Sequence, residues 1–521
     1  MTLPTSLGAM LQVRAAVCGH GIAVVDSAGR AWNYQQLEDA SGAFAQQLEA
    51  QGFSGGERLA ILLDKCFEYC AALFAVARLG GIAVPINATQ KSRQIRHILE
   101  NSGSRWLLST DARFRRLQAD MAIDPSVTKL IIDAADCGND VSADFSSRPK
   151  TPAAAEVLGS DSALLLYTSG STGLPKGVEL SHRNLVLGAA AVAEYLTLDE
   201  SDRVLAVLPF SFDYGLNQLL SSVLVGARCV LHNYLLPADV ASAVERQAIT
   251  GLAGVPGLWG QIAASNPKAE AFRSLRYFTN SGGALPTGLI TKLRALMPQA
   301  KPFLMYGLTE AFRSTYLPPD QIERRPNSIG KAIPHAEVHL LDEEGGAVPD
   351  GAVGEIVHCG ELVAKGYWDD PIASAERFRE LQDVNPSFEE QTAVFTGDYA
   401  RRDEEGFLYF VGRRDSMLKR LGHRISPDEI EEVIYADERV SAAAAIGLDA
   451  GVDGHEIIVL VALRSGCECT VEELQARCRR ELSSYMVPHA VHFVDSLPVN
   501  ANGKIDRHEA ERRWRIRNDE R

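Results

Sequence analysis

The part of this 521-residue chain with the clearest chemical character is residues 167–177, which read Tyr-Thr-Ser-Gly-Ser-Thr-Gly-Leu-Pro-Lys-Gly. Three glycines, four aliphatic hydroxyls and Lys176 follow directly on the apolar residues 163–166. Glycine-rich backbone leaves its N–H groups uncovered, which suits polyphosphate oxygens, and a lysine adds a point charge for the same oxygens. A Walker A loop is excluded because no Gly-Lys-Ser/Thr ends the stretch. The pattern predicts a phosphate-binding loop, with a polar surface loop between strands as the alternative.

Four other short stretches carry candidate polar groups: Tyr-Gly-Leu-Thr-Glu at 306–310, Thr-Gly-Asp at 396–398, Gly-Arg-Arg-Asp at 412–415 and Asn-Gly-Lys-Ile-Asp at 502–506. Together with residues 168–177 they resemble the signature motifs of the AMP-forming adenylating enzymes, in the same order and over almost the whole chain. That family comprises acyl-CoA ligases, the adenylation domains of peptide synthetases and luciferases. One such motif is weak evidence, whereas five in order are specific.

The resemblance implies an in-line attack of a substrate carboxylate on the α-phosphorus of ATP, with expulsion of pyrophosphate. Because both reactants are anions, the site must neutralise charge and hold the attack geometry. Lys176 would neutralise the departing pyrophosphate. Lys504, which the family carries on a mobile domain, would reach the α-phosphate and the attacking carboxylate; a surface position after the turn dipeptide Asn-Gly is its alternative. The phosphates would be held by the hydroxyl and amide groups of Thr168, Ser169, Gly170, Ser171, Thr172 and Gly173.

The resemblance also gives roles to two acidic residues and their neighbours. Glu310 would hold Mg²⁺ bridging the phosphate oxygens, as hard oxygen ligands do, with the hydroxyl of Thr309 on the α-phosphate. Asp398 would accept two hydrogen bonds from the ribose hydroxyls, helped by Arg413, and Tyr306 belongs to the same nucleotide site. The alternatives are a solvated carboxylate for Glu310 and a turn residue for Asp398.

A second half-reaction is implied, in which a thiol attacks the acyl-adenylate to give a thioester. Family members rotate the C-terminal domain about the position matched by Asp415, which replaces Lys504 with a loop that includes Gly422. A glycine there would let a pantetheine arm pass close to the backbone, and a simple turn is the alternative. No carrier domain is expected after Lys504, so the thiol acceptor would be CoA or the phosphopantetheine of a separate acyl or peptidyl carrier protein.

Residues 209–217, Pro-Phe-Ser-Phe-Asp-Tyr-Gly-Leu-Asn, fall where the family lines its acyl pocket. Amino-acid-activating members carry an aspartate after an aromatic residue here, which pairs with the substrate ammonium. Asp213 follows Phe212 and therefore favours an amino acid, because a buried carboxylate needs a cationic or donor partner. The alternative is that Asp213 caps a helix starting near Tyr214.

Other residues of the same region predict a modest, partly polar cavity rather than a long lipid tunnel. Arg313 could pair with Asp213 or with a substrate anion, although an exposed arginine is the expected case. The residues expected to border the pocket besides Asp213 are Tyr214, Asn217, Ser281, Gly282 and Met305.

The predicted function is thus an AMP-forming ligase that activates a carboxylic acid, with an amino acid as the class that Asp213 favours, and loads it onto a thiol. An acyl-CoA ligase for a non-amino acid is the nearest alternative. Alternatives of other classes are a non-catalytic nucleotide-binding protein and a luciferase-type oxygenase. Intact Lys176, Glu310, Asp398 and Lys504 argue against the non-catalytic protein, and nothing in the sequence marks an oxygenase.

Composition and charge narrow the possible partners. An apolar content of 46% with 23% charged residues is typical of a soluble globular protein. The net charge of −15 argues against non-specific binding to nucleic acid or anionic membranes. Residues 1–21 do not read as a secretory signal, and no apolar run is long enough to span a bilayer, so a cytoplasmic location is expected.

The length and the alternation of strand-like and helix-like segments predict an α/β protein of more than one domain. Residues 22–150, which include a strand at 22–25, read as a first αβ half, and a second half begins at the phosphate loop. Residues 336–411 read as a smaller antiparallel β-rich subdomain. We therefore expect a large adenylating domain at residues 1–412 and a small, mobile α+β domain at 413–521, with a hinge at residues 412–415.

Overall fold

The computed structural model describes residues 3–121, 123–132, 156–168, 175–413, 418–420, 423–425, 427–449, 455–499 and 505–519. The helices in these ranges, numbered along the chain, are α1 (Leu7–Cys18), α2 (Tyr34–Ala50), α3 (Phe67–Arg78), α4 (Ser92–Ser102), α5 (Asp111–Asp120), α6 (His182–Leu196), α7 (Asp213–Val225), α8 (Pro237–Gln247), α9 (Pro256–Ala264), α10 (Thr287–Leu296), α11 (Pro371–Arg377), α12 (Leu381–Val384), α13 (Pro427–Tyr435), α14 (Val471–Glu481) and α15 (Arg507–Asp519).

The strands in the same ranges are β1 (Ile22–Val25), β2 (Ala31–Asn33), β3 (Arg58–Leu62), β4 (Ile82–Pro85), β5 (Trp106–Thr110), β6 (Thr128–Ile132), β7 (Ser162–Thr168), β8 (Lys176–Ser181), β9 (Arg203–Ala206), β10 (Arg228–Leu231), β11 (Gly251–Gly254), β12 (Tyr277–Asn280), β13 (Lys301–Tyr306), β14 (Thr315–Leu317), β15 (Lys331–Ala332), β16 (Glu337–Leu341), β17 (Val353–Cys359), β18 (Gly366–Tyr367), β19 (Phe378–Glu380), β20 (Thr392–Arg402), β21 (Leu408–Arg413), β22 (Leu418–Arg420), β23 (His423–Ile425), β24 (Val440–Asp449), β25 (His455–Leu463) and β26 (Ala490–Phe493).

Two large sheets form the body of the N-terminal domain. The first has the strand order β18-β8-β7-β4-β3-β5-β6 and the second the order β15-β14-β13-β12-β11-β9-β10-β1-β2. Their inner strands are parallel and apolar, as expected for strands covered by helices on both faces. Helix α3 is buried along its whole length, so it packs inside the domain rather than on its surface.

The two sheets do not divide the chain where the sequence predicted. Strand β1 pairs in parallel with β10 through Val24 and Cys229, so the first strand of the chain belongs to the second sheet. Strands β7 and β8, on either side of residues 169–174, both belong to the first sheet and pair antiparallel with each other. The prediction that the second half begins at the phosphate loop is therefore wrong, because β8 closes a hairpin on β7.

A five-stranded antiparallel sheet of β16, β17, β19, β20 and β21 forms the β-rich part between residues 337 and 413. The small C-terminal domain has a three-stranded sheet, β24-β25-β26, packed against α13 and α14, and a separate pair, β22-β23. Its core is its own and includes Ile430, Ile434, Val459 and Leu474. The predicted fold class is confirmed: the protein is α/β, with a large N-terminal domain and a small C-terminal domain.

Every helix in the described residues falls short of the length and apolar character that a bilayer crossing requires.

Candidate functional site

The loop that follows strand β13 brings the predicted nucleotide residues together. It begins at Tyr306, the last residue of the strand, and contains the 3-10 helix Thr309–Ala311. Thr309 is buried, and Glu310 is half-buried. This loop emerges from the carboxyl end of a parallel strand, where pockets of α/β sheets open.

Glu310, Tyr367 and Lys176 form one cluster. The Tyr367 hydroxyl donates a hydrogen bond of 2.7 Å to Oε1 of Glu310. The Lys176 Nζ lies 5.1 Å from the centroid of the Tyr367 ring and 3.3 Å from Oδ2 of Asp370. Burial raises the pKa of Tyr367, and the adjacent Glu310 carboxylate raises it further, so the phenol remains a proton donor to that carboxylate.

Strand pairing explains why these three residues meet. Lys176 starts strand β8, and the short strand β18 pairs with β8 through Tyr367 and Val178. The backbone N–H of Trp368 donates to the carbonyl of Gly177 at 2.7 Å. The segment before β18 is tied to the Glu310 loop, because the N–H of Ala364 donates to the Glu310 carbonyl at 2.8 Å.

Asp398 lies in a second polar cluster at the other end of the same loop. The Tyr306 hydroxyl donates to Oδ2 of Asp398 at 2.6 Å, and Nε of Arg413 lies 3.3 Å from Oδ1. Asp398 and Arg413 face each other across strands β20 and β21. Burial raises the pKa of Tyr306, as does the neighbouring Asp398 carboxylate, so this phenol also stays a donor. The carboxylate is 11% exposed and the Arg413 side chain 51% exposed, so the cluster opens to solvent on the arginine side.

The preceding residues of the Thr-Gly-Asp motif fix the backbone around Asp398. Gly397 has a φ of +69°, a conformation that favours glycine, and its N–H donates to Oε1 of Glu355 at 2.8 Å. The Thr396 hydroxyl accepts from the Asp398 N–H at 3.0 Å and donates to the Ile356 carbonyl. Asp398 is part of a continuous strand, so its interpretation as a turn residue is wrong.

Asp213 and Arg313 form a buried ion pair beside this loop. The Arg313 Nη1 donates to Oδ2 of Asp213 at 2.8 Å and to the carbonyl of Phe312 at 2.7 Å, and both charged side chains are only 3% exposed. The expectation of an exposed Arg313 is therefore wrong. Asp213 is the first residue of α7, after the N-cap Phe212, and the alternative that its side chain caps the helix is also wrong.

A strained turn directs Arg313 inward. Phe312 has φ +60° and ψ −68°, and the N–H of Arg313 donates to the carbonyl of Ala311 at 2.7 Å, which together define a γ-turn of positive φ. Such a conformation is rare for a bulky residue and persists only where packing fixes it. Gly188 on α6 makes room for the Phe312 ring: a Cβ there would lie 2.5 Å from a carbon of that ring.

The other predicted pocket residues lie around the same pair. Tyr214, next to Asp213, is hydrogen-bonded to the Thr279 hydroxyl of β12, and the Arg313 guanidinium lies 4.5 Å above its ring. Asn217 is one turn further along α7 and is 1% exposed. Ser281 and Gly282 follow β12 directly, and Met305 lies on β13, where its sulfur accepts from the Tyr195 hydroxyl.

Several predicted site residues lie outside the described residues: Ser169, Gly170, Ser171, Thr172, Gly173, Asp415, Gly422 and Lys504. Thr168 is the last residue of β7 and faces Lys176 across the hairpin, so both ends of the predicted phosphate loop are placed. Sequence reasoning did not single out Tyr367 or Asp370. The signal was present, since two aromatic side chains and two acids follow Gly366 within four residues.

Comparisons with known proteins identify the family of the chain. Residues 11–368 match the model of the AMP-binding enzyme family, and residues 429–504 match the AMP-binding enzyme C-terminal domain. The chain is 31% identical over 512 residues to a feruloyl-CoA synthase of an Amycolatopsis species, covering 98% of this chain and 99% of that protein. The solved structure of ATP-bound MatB from Rhodopseudomonas palustris is 25% identical, with a TM-score of 0.88 over 98% of this chain and 99% of MatB.

A third relative is much longer than this chain. Surfactin synthase subunit 2 of Bacillus subtilis strain 168 is 30% identical over 495 residues, which are 93% of this chain but only 13% of the synthase subunit. The chain belongs to the AMP-binding enzyme family. This confirms the resemblance drawn from its motifs and the prediction that it is an enzyme.

Proposed function

We propose that this protein activates a carboxylic acid as an acyl-adenylate at the expense of ATP, releases pyrophosphate, and transfers the acyl group to a thiol. The observation that carries the proposal is one loop, residues 306–313, that supplies groups to three clusters. Tyr306 holds Asp398, Glu310 meets Tyr367 and Lys176, and Arg313 pairs with Asp213. A triphosphate and a carboxylate would thus be held side by side, which in-line attack requires.

The contacts support separate roles for the residues that would bind the ribose and those that would bind the phosphates of the nucleotide. Asp398 has a fixed orientation through Tyr306 and would accept from the ribose hydroxyls, with Arg413 near its open side. The Lys176 side chain is one-third exposed and forms an ion pair with Asp370. When ATP binds, the Lys176 ammonium would leave that carboxylate and bind phosphate oxygens instead. Thr168 and residues 169–173 would contribute hydroxyls and N–H groups, and Lys504 would approach from the C-terminal domain.

The residues present fit a magnesium ion carried by the phosphates. The described residues contain no group of three or more metal-ligating side chains, and Mg²⁺ bound to ATP needs only one or two protein carboxylates. Glu310 is such a carboxylate, with one oxygen already fixed by Tyr367. When bound, the ion would supply charge neutralisation at the phosphates.

The acid side of the site favours the non-amino-acid alternative. Asp213 was expected to recognise a substrate ammonium because it needed a cationic partner. Arg313 already supplies that partner at 2.8 Å, so an ammonium would have to compete with a buried guanidinium.

The acceptor thiol would be that of CoA or of the phosphopantetheine on a separate carrier protein. We place the domain boundary at residues 412 and 413, with Asp415 as the hinge and Gly422 beside the thiol.

The test is ATP–pyrophosphate exchange in Mg²⁺ over a panel of carboxylic acids, followed by thioester formation with CoA and with loaded carrier proteins. Exchange with one class of acid, lost in Lys176→Ala and in Asp398→Asn, would support the proposal. Lys268→Ala is the matched control, because Lys268 is exposed and precedes the 3-10 helix Ala269–Phe272, which carries no residue of the three clusters. Nucleotide binding without exchange on any acid would favour a non-catalytic binding protein and refute the proposal.

A further inference from the structure

Two buried hydrogen-bond donors at and beside the Asp213–Arg313 pair are unused in the part of the chain that the structure describes. Among the described residues, neither Nη2 of Arg313 nor Nδ2 of Asn217 has a hydrogen-bond partner, although Arg313 is 2% exposed and Asn217 1% exposed. Buried donors are nearly always satisfied in native proteins, since leaving one unpaired carries a large desolvation penalty. Two such donors close to one carboxylate therefore call for an acceptor that the protein itself does not provide.

Both donors belong to residues that neighbour Asp213, one along α7 and one through the ion pair, and Arg313 is close in sequence to Glu310. Asn217 follows Asp213 by four residues on α7, so their side chains share one face of the helix. Arg313 is hydrogen-bonded to Asp213 and follows Glu310 by three residues, which limits the separation of those two Cα atoms to about 11 Å. An acid whose carboxylate reacts near Glu310 would therefore need only a short chain to reach Arg313.

Charge decides what kind of acceptor fits. Asp213 already neutralises the Arg313 guanidinium, and no third charge is present in the contacts of this pair that the structure describes. An ammonium offers no acceptor to Nη2 or Nδ2. A second carboxylate would bring a negative charge close to the buried Asp213 carboxylate, which is costly in a medium of low dielectric constant. A neutral oxygen satisfies both donors at no cost in charge.

We propose that the Asp213–Arg313–Asn217 cluster recognises a neutral oxygen, a hydroxyl or a carbonyl, at the far end of a short carboxylic acid. This inference rests on the proposed ligase function and names the class of its substrate: a short hydroxy or oxo acid. Asp213 is then the residue that holds Arg313 in place, and Arg313 and Asn217 are the residues that select the acid. The positive-φ turn at Phe312 is what directs the guanidinium to Asp213.

The test compares acids of one length that differ only in the terminal group. A suitable set is 4-hydroxybutyrate, pentanoate, glutarate and 4-aminobutyrate, with parallel sets one carbon shorter, one and two carbons longer, and on a benzoate ring. The readout is kcat/KM for pyrophosphate release with each acid. A site that hydrogen-bonds a substrate oxygen discriminates strongly against the analogue that lacks it, so the hydroxy acid should exceed its methyl counterpart by at least about tenfold in the best set.

Variants separate recognition from a purely structural role. Asn217→Leu removes one donor without changing charge and should reduce the hydroxy-to-methyl ratio about tenfold. The double variant Asp213→Asn/Arg313→Met removes the pair without leaving a buried charge and should bring the ratio close to one. Arg78→Met is the control, because Arg78 forms a buried ion pair with Glu38 elsewhere in the domain. It should lower thermal stability without changing the ratio.

Three results would overturn the inference while leaving the ligase function intact. The methyl acid could match the hydroxy acid in every set, the carboxylate or ammonium acid could be preferred, or the preference could survive both Asn217→Leu and the double variant. Exchange with none of the acids, in protein that binds ATP, would instead refute the ligase function itself.

Discussion

Replacing Tyr367 by phenylalanine tests whether the cluster around Glu310 acts on the nucleotide. The substitution removes one hydroxyl and leaves the ring, so the Lys176 ammonium keeps its aromatic neighbour at about the present separation of 5.1 Å. The one interaction of the cluster that is lost is the 2.7 Å hydrogen bond to Oε1 of Glu310. Any effect on ATP can then be attributed to the orientation of that carboxylate.

The expected magnitude follows from the exposure of the two partners. A hydrogen bond to a charged group contributes about 1.5–3 kcal/mol. Both Glu310 and Tyr367 are half-buried, so water can replace part of the lost bond and the lower end of that range applies. A loss of about 1.5 kcal/mol corresponds to about a tenfold fall in kcat/KM for ATP.

The assay is ATP–pyrophosphate exchange at several Mg²⁺ concentrations, with calorimetric ATP binding as a second readout. If Glu310 meets the metal, the variant should bind ATP more weakly in Mg²⁺ and should equal the wild-type protein when Mg²⁺ is omitted. Tyr409→Phe is the matched control, because that phenol donates to Asp403 at 3.1 Å, away from the three clusters. The reasoning fails if Tyr367→Phe exchanges within twofold of wild type, or if Tyr409→Phe loses as much.

Two further predictions concern the packing around Phe312 and the pH dependence of stability. Gly188→Ala should displace the Phe312 ring and so lower both the melting temperature and the rate of adenylation. Gly260→Ala is the control, because Gly260 is a helical glycine with free space around its Cβ position and its replacement should change neither quantity. Equal melting temperatures for the two variants would contradict this prediction. Burial lowers the pKa of His358 to about 4, whereas an unfolded histidine titrates near 6.5. The unfolded chain therefore binds the extra proton first, so the free energy of unfolding should fall by about 3 kcal/mol as pH drops from about 6.5 to about 4. His358→Gln should flatten that slope and the exposed His20→Gln should not, as followed by denaturant unfolding at each pH.

Local signals in the sequence were sufficient for single elements. The strand predicted at residues 22–25 is β1, and the start of α2 is marked by a reciprocal capping box of Asn33 and Gln36. The pairing of β1 with β10 was not predictable in this way, since it joins segments about two hundred residues apart through a register that neither segment encodes alone. The same holds for Tyr367, which reaches Glu310 only because β18 adds to the edge of β8.

Arg313 shows a different limit of sequence reasoning. Its residue type favours solvent, and the motif before it gives no sign of burial. What turns it inward is the backbone of Phe312, which is in a conformation that its residue type disfavours and that packing against Gly188 stabilises. The sequence identified Asp213 as a residue in need of a partner and named Arg313 as one possibility, and the three-dimensional contacts show that pair.

Under the proposed function one loop serves both substrates, and this makes the two proposals separable. Tyr306 and Glu310 would lie at the nucleotide side of residues 306–313, and Arg313 would lie at the acid side. The double variant Asp213→Asn/Arg313→Met, which leaves no buried charge, should raise the KM for the acid and leave the KM for ATP unchanged, whereas Tyr367→Phe should do the reverse. If Arg313 served only to hold the loop in shape, its loss would change both constants together. The comparison of the two KM values in these variants therefore distinguishes a residue that selects the acid from one that merely supports the fold.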